Sequence, residues 1–87
     1  MVLEEINIKM VKEVKEKMEE RHILEEEIKK VIRYAEETGK KLYRPEMDRY
    51  LAKLTISNAT FYVEYYPANE NDFIIHTAYS HRAKIEE

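Results

Sequence analysis

The first part of the chain repeats apolar side chains at helical intervals. Ile6, Met10, Val14 and Met18 recur every four residues among lysines and glutamates, which predicts an amphipathic helix over residues 4–21. Because an α-helix has 3.6 residues per turn, a stripe made only of four-residue steps drifts around it. We therefore expect this helix to pack through a single face of about four turns.

A second helix is predicted over residues 24–38, where the apolar spacing combines steps of three and four: Leu24, Ile28, Val31, Ile32 and Ala35. Glu25 to Glu27 fill its first turn, where the helix dipole favours negative charge. Gly39 follows the last apolar position and suits a left-handed helix end. Between the two helices, His22 is expected to turn the chain, since histidine tolerates left-handed backbone geometry.

After Gly39 the apolar spacing shortens to two, which indicates strands. A short strand candidate begins at residue 41 and ends at a turn containing Pro45. Longer alternating stretches follow over residues 49–57, 60–66 and 73–82. Short loops make consecutive strands antiparallel neighbours, so residues 41–82 should form a meander. We predict an α+β fold of the order α-α-β-β-β-β, in which two N-terminal helices cover one face of a three- to four-stranded antiparallel sheet.

The last strand, "FIIHTAYSHR", carries most of the unusual side chains, and strand alternation divides them between two faces. The bulkier set should pack under the helices: Phe73, Ile75, Thr77 and Tyr79. The other set should face away from them: Ile74, His76, Ala78 and Ser80. His81 is expected on the helix side or past the strand end. Adjacent residues Ser80 and His81 therefore point apart, and no nucleophile–base pair is expected.

Composition excludes several chemistries. The chain of 87 residues is 44% hydrophobic and 38% charged, which is typical of one globular domain, residues 1–87. It contains no cysteine, so disulfides, thiolate nucleophiles, cysteine-ligated zinc and iron–sulfur clusters are excluded. One glycine cannot build a glycine-rich phosphate loop. His76 and His81 lie on opposite faces by alternation, so we expect no metal site and no cofactor.

Charge and hydropathy limit the binding partners and the cellular location expected for the protein. The formal net charge is −3, and basic residues are spread along the chain rather than gathered in a block. Proteins that bind nucleic acid non-specifically usually present such a block, so the pattern weighs against that class. No apolar stretch has the length of a membrane span. We expect a cytoplasmic protein.

The sheet face away from the helices is the candidate binding surface, with these ligand or interface residues: Lys53, Tyr62, Tyr66, His76, Ser80 and Arg82. Its tyrosines admit three interpretations. They are ordinary half-buried strand residues, they bury against a protein partner, or they stack on single-stranded RNA. We favour a small non-enzymatic protein-interaction or accessory module that is oligomeric.

The segment "EKMEERHILEEEI", followed by strands, resembles small domains related to the RelE-type and BrnT-type ribonuclease toxins. The matching residues are Met18, Arg21, Ile23, Glu26, Glu27 and Ile28. The sequence departs from that pattern at His22, which replaces a glycine, and at Leu24, which replaces a serine or threonine. The resemblance implies RNA on the exposed sheet, with these residues in acid–base or phosphate-stabilising roles: Tyr62, His76, Tyr79, His81 and Arg82. An RNA-binding or endoribonuclease domain is thus the alternative function.

Overall fold

The computed structural model describes residues 6–69 and 71–82, and the side chain of Arg82 lies outside that part. It is an α+β fold with two helices and one five-stranded mixed sheet. The elements along the chain are β1 (Asn7–Lys9), α1 (Lys12–Glu20), α2 (Glu25–Thr38), β2 (Leu42–Arg44), β3 (Arg49–Ile56), β4 (Ala59–Pro67) and β5 (Asp72–Arg82).

The prediction of a helix over residues 4–21 is wrong in its first half. Residues 4 and 5 lie outside the described residues, β1 occupies residues 7–9, and α1 begins only at Lys12. Ile6 and Ile8 are β-branched and also alternate at a spacing of two, which suits a strand. β1 pairs in parallel with β5, which places Ile8 beside Phe73. As a strand, this segment forms backbone hydrogen bonds with the sheet, and a helix at the same position could not form them.

The second helix ends where the sequence predicts. α2 runs from Glu25 to Thr38, and Gly39 closes it with a left-handed φ of 76°. At its start, the backbone N–H of Leu24 donates to Glu27 Oε1 at 3.0 Å. The Glu27 N–H, which a serine or threonine cap would accept, donates to the Leu24 carbonyl instead, at 3.0 Å. His22 has a φ of 59°, so the left-handed turn expected between the helices is confirmed.

The sheet has the strand order β1-β5-β4-β3-β2. The last four strands are antiparallel neighbours in chain order, whereas β1 adds a parallel edge strand. The sheet is therefore five-stranded and mixed, and not the three- to four-stranded antiparallel sheet expected. The turn after β2 contains Pro45 in its second position, with the Met47 N–H donating to the Arg44 carbonyl at 3.1 Å.

Both helices pack on one side of the sheet, here called the helix face. Its buried strand side chains are Ala52, Phe61, Val63, Tyr65, Phe73, Ile75 and Ala78. They meet Met18 of α1 and the apolar stripe of α2 in one core. Among the described residues no element covers the opposite side, here called the open face. No helix in that part of the chain has the length and apolar character needed to cross a membrane.

Helix α1 also protects the edge of β5. β1 pairs only with Asp72 to Ile74, so the later residues of β5 lie beyond its end. α1 lies against that stretch, and Arg21 Nη1 donates to the carbonyl oxygen of Ala78 at 2.8 Å. A charged donor on an unpaired strand carbonyl blocks pairing with another chain at this edge. A groove of about 250 Å³ between α1 and β5 has His76 and Thr77 in its wall.

Candidate functional site

The open face is more basic than the chain as a whole. Strand register places four basic side chains on it, Lys9, Arg44, Arg49 and Lys53, against two acidic ones, Glu64 and Asp72. The whole chain, in contrast, has a formal net charge of −3. Among the described strand residues the open face therefore carries a net positive charge, and this face suits an acidic ligand surface.

A β-bulge in β5 decides which side chains reach the open face. Glu64 of β4 pairs with Thr77, whereas the next residue, Tyr65, pairs with Ile75. Two β5 residues, His76 and Thr77, thus oppose Glu64 alone, and alternation shifts by one residue beyond them. The sequence contains a sign of this break, since two polar residues stand together between buried Ile75 and Ala78.

The bulge overturns half of the faces predicted for the last strand. Tyr79 was expected under the helices but pairs with Tyr62 on the open face. Ser80 was expected on the open face but pairs with Phe61 on the helix face. His81 was expected on the helix side or past the strand, yet it lies within β5 opposite Thr60, on the open face. Ala78, expected on the open face, is buried opposite Val63.

Thr77, expected under the helices, pairs with Glu64 on the open face. The remaining predicted residues lie on the faces expected. Lys53, Tyr62, Tyr66 and His76 all lie on the open face. The side chain of Arg82 lies outside the described residues, and only its backbone pairing with Ala59 is defined.

Tyr62 and Tyr79 form a stacked pair on the open face. Their ring centroids are 5.0 Å apart and their planes lie 15° from parallel. Near-parallel rings this close must be offset-stacked, so each covers one face of the other. The Tyr79 side chain remains 38% exposed. The pair therefore presents ring edges, hydroxyl groups and one face each to an incoming ligand.

A second stacked pair lies at the bulge. His76 stacks on Tyr66 with 5.1 Å between ring centroids and 29° between planes. Partial burial lowers the pKa of His76, the positive charge of Arg49 lowers it further, and Glu64 opposes the shift. The imidazole is therefore neutral at physiological pH and serves as an aromatic surface with a hydrogen-bonding edge.

Glu64 lies between these two pairs and is held by two arginines. Its carboxylate accepts from Arg44 Nη1 at 3.3 Å and from Arg49 Nη1 at 3.2 Å, and the residue is only 9% exposed. Arg44 and Arg49 are cross-strand partners on β2 and β3. Because like charges opposite each other repel, Glu64 is needed to hold both of them in place. The ion triad therefore joins β2, β3 and β4 through side chains on the open face.

Sequence reasoning missed Arg44 and Arg49 as site residues. A signal was present, because two arginines flank the short turn of residues 45–48 and so face each other in a hairpin. A carboxylate on the next strand stabilises such a pair, and Glu64 is the acidic residue in β4.

The geometry gives no sign of a metal site or a serine nucleophile in the described residues. His76 and His81 share a face, but they are five positions apart in the strand, which is roughly 16 Å at about 3.3 Å per residue. No three histidine, aspartate or glutamate side chains of the described part lie together as metal ligands. Ser80 and His81 point to opposite faces, as the sequence predicts, although each lies on the face opposite to its predicted one.

Similarity to known proteins gives no guide to the function of this chain. In comparisons with protein-family models, curated proteins and solved structures, no match was found. The open face, with its two stacked aromatic pairs on either side of the Arg44–Glu64–Arg49 triad, is the candidate binding surface.

Proposed function

We propose that this chain is a small, non-enzymatic, cytoplasmic module that binds a protein partner through its open face. One observation carries the proposal: two partly exposed aromatic pairs, Tyr62–Tyr79 and Tyr66–His76, lie on either side of Glu64 on a sheet face that no described element covers. Tyrosine is enriched at binding hot spots because it buries a large area at a small entropic cost. The pairs supply the apolar centre of such an interface.

The orientation of the rings favours protein over RNA. Single-stranded RNA binds to sheets by stacking its bases on free aromatic faces. In both pairs the neighbouring ring already covers one face of each ring, so a pair offers a base only its two outer faces, half of what two unstacked rings would present. The ring edges and the hydroxyls of Tyr62 and Tyr79 instead suit side chains and backbone groups of another protein.

The charge of the open face favours a different protein over a second copy of this chain. In a symmetric face-to-face dimer whose two-fold axis passes near Arg44, Arg49 and Lys53, these side chains would approach the same residues of the other copy. Like charges brought together at an interface cost several kcal/mol. A partner with an acidic rim around an apolar centre complements this face.

Site-specific photo-crosslinking in the native cell tests this proposal. A benzophenone amino acid replaces exposed Tyr66 and, in the control protein, exposed Glu16 of α1. We expect a discrete protein adduct from the Tyr66 position that survives nuclease treatment and is absent from the control. Adducts that disappear with nuclease, or identical adducts from both positions, would reject the proposal. An adduct of this chain with itself would assign the open face to a homodimer.

A ribonuclease-like function is the second candidate, because Tyr62, His76, Tyr79 and His81 all share the basic open face. Imidazole and phenol groups supply acid–base catalysis without metal. This alternative expects RNA cleavage by the purified chain in the presence of a chelator, lost in His81→Ala. It also expects RNA binding that weakens steeply as salt rises. Intact RNA after incubation with the wild-type chain removes this alternative.

A further inference from the structure

The outer edge of β3 has free backbone over most of its length. β2 is three residues long and pairs only with Arg49, Tyr50 and Leu51. On the same edge, the stretch from Ala52 to Ile56 has no strand beside it in the described part of the chain. In an antiparallel strand, every second residue directs its N–H and C=O away from its existing neighbour. These groups form a template on which an extended segment can add as a sixth strand.

A groove wraps around this edge and provides side-chain contacts. It has a volume of about 380 Å³, and its aromatic and apolar walls are Tyr34 of α2, Leu42, Leu51 and Tyr62. Leu42 is 65% exposed, so a large apolar surface is available at the end of β2. The groove therefore offers apolar pockets beside a row of free backbone groups, and strand addition needs both of these.

The charges around the groove indicate what kind of peptide segment would bind there. Its charged lining residues are Lys40, Lys41 and Lys53, with no acidic one among them. Lys41 is held by Glu36 at 2.6 Å, whereas Lys40 and Lys53 have no acidic partner within the described residues. A second copy pairing edge to edge would bring the same lysines together. An edge lysine thus opposes self-association and favours an acidic strand.

From the free edge, the apolar groove and the unpaired lysines we infer that β3 binds an extended, acidic segment of the partner protein by strand addition. The segment carries apolar residues at alternate positions for the groove and Asp or Glu residues for Lys40 and Lys53. This inference rests on the proposed function and names the chemistry of the partner, because Leu51, Lys53 and Tyr62 belong to the open face as well.

The test uses random linear peptides displayed on phage and selected on the intact chain. We expect the selected peptides to be acidic with alternating apolar residues. In NMR spectra of the complex with a synthetic selected peptide, amides between Ala52 and Ile56 should shift and exchange more slowly with solvent. Lys53→Glu should weaken peptide affinity about fivefold at low salt, and Lys40→Glu should act in the same direction. The matched control Lys15→Glu, an exposed α1 variant with the same charge change, should leave affinity unaltered.

Three outcomes overturn the inference. Selected peptides that shift only amides near Tyr66, His76 and Tyr79 would move the binding site to the centre of the open face, and would leave the proposed function standing. Failure to select any peptide would reject strand addition, while crosslinking at Tyr66 decides the proposed function separately. Protection of the β3 edge by a uridine oligonucleotide, with no acidic peptide selected, would replace the protein segment by RNA.

Discussion

Tyr79 of β5 stacks on Tyr62 of β4, with 5.0 Å between ring centroids and 15° between ring planes. The contact exists because the bulge at His76 brings Tyr79 to the open face, whereas uninterrupted alternation would place it under the helices. One extra residue in β5 thus creates the aromatic pair at the centre of the proposed binding surface.

The interaction between the stacked rings of Tyr62 and Tyr79 should be measurable as a coupling energy. In a double-mutant cycle of Tyr62→Ala and Tyr79→Ala, we expect a coupling of about 1 kcal/mol in the free energy of unfolding, since each ring covers the other. Urea unfolding measures it. The control cycle combines Tyr79→Ala with Tyr43→Ala, a tyrosine of the helix face, and should be additive. Additivity in both cycles would mean that the stack contributes nothing to stability.

Removing the charge of Glu64 should destabilise the fold. Glu64→Gln leaves Arg44 and Arg49 facing each other without a carboxylate, and we expect a loss of about 1–3 kcal/mol in the free energy of unfolding. The matched control is Glu37→Gln, on the exposed side of α2, which should change stability by less than about 0.5 kcal/mol. Equal effects of the two substitutions would contradict the structural role of the ion triad.

Tyr65 should make the protein sensitive to alkali. Burial raises its pKa far above the usual 10.0, and donation of its hydroxyl to Glu36 at 2.7 Å acts in the same direction. The unfolded chain therefore releases this proton near pH 10 while the folded chain retains it. Stability from this group is complete below pH 10 and declines as pH rises above it.

Urea unfolding between pH 8 and pH 11 (roughly two units below and one above the usual tyrosine pKa) measures this effect. Tyr65→Phe should flatten the alkaline decline and should cost about 1–2 kcal/mol at neutral pH, because Glu36 loses a donor. An alkaline slope that is the same in both proteins would show that Tyr65 ionises freely in the folded state.

His76 should titrate at lower pH than an ordinary histidine. Its lowered pKa means that the unfolded chain binds the proton more tightly than the folded one. Stability from this group is complete above pH 6.5 and falls as pH drops through the folded pKa. The charges that face it are Arg49 and Glu64 from the sheet, and Glu13, Lys17 and Arg21 across the α1 groove.

An NMR titration of the histidine ring protons measures the folded pKa directly. We expect the His76 midpoint to lie below 6.5, the usual value. In Arg49→Gln the midpoint should rise, because a positive charge has been removed, provided that the NMR spectrum shows the fold intact. A His76 midpoint at or above 6.5 in the wild-type chain would contradict its partial burial at the bulge.

Local signals in the sequence were sufficient to predict much of the fold. The stripe of α2, the glycine at position 39 and the histidine at position 22 each specify their geometry within a few residues, and the structure follows them. The alternating stretches over residues 49–57 and 60–66 are strands as predicted, namely β3 and β4.

The features that the sequence did not predict, β1 and the bulge in β5, depend on pairing between distant parts of the chain. The spacing of Ile6 and Met10 fits a helix, while Ile6 and Ile8 fit a strand, and only the free edge of β5 decides between them. The bulge likewise depends on β4, because two β5 residues oppose Glu64. Shifting alternation by one residue exchanges the faces of every later side chain, which is why Tyr79, Ser80 and His81 were misplaced together.

The central claim is that the chain binds its partner through the open face. The affinity of two tyrosine variants for that partner tests this claim most directly. The partner identified by crosslinking at Tyr66 is titrated calorimetrically with the wild-type chain, Tyr79→Ala and Tyr43→Ala. Both tyrosines are exposed, at 38% for Tyr79 and 50% for Tyr43, but they lie on opposite faces of the sheet. We predict that Tyr79→Ala weakens binding by about tenfold or more, whereas Tyr43→Ala leaves it within about twofold. Equal weakening by both variants, or unchanged affinity in Tyr79→Ala, would contradict binding through the open face.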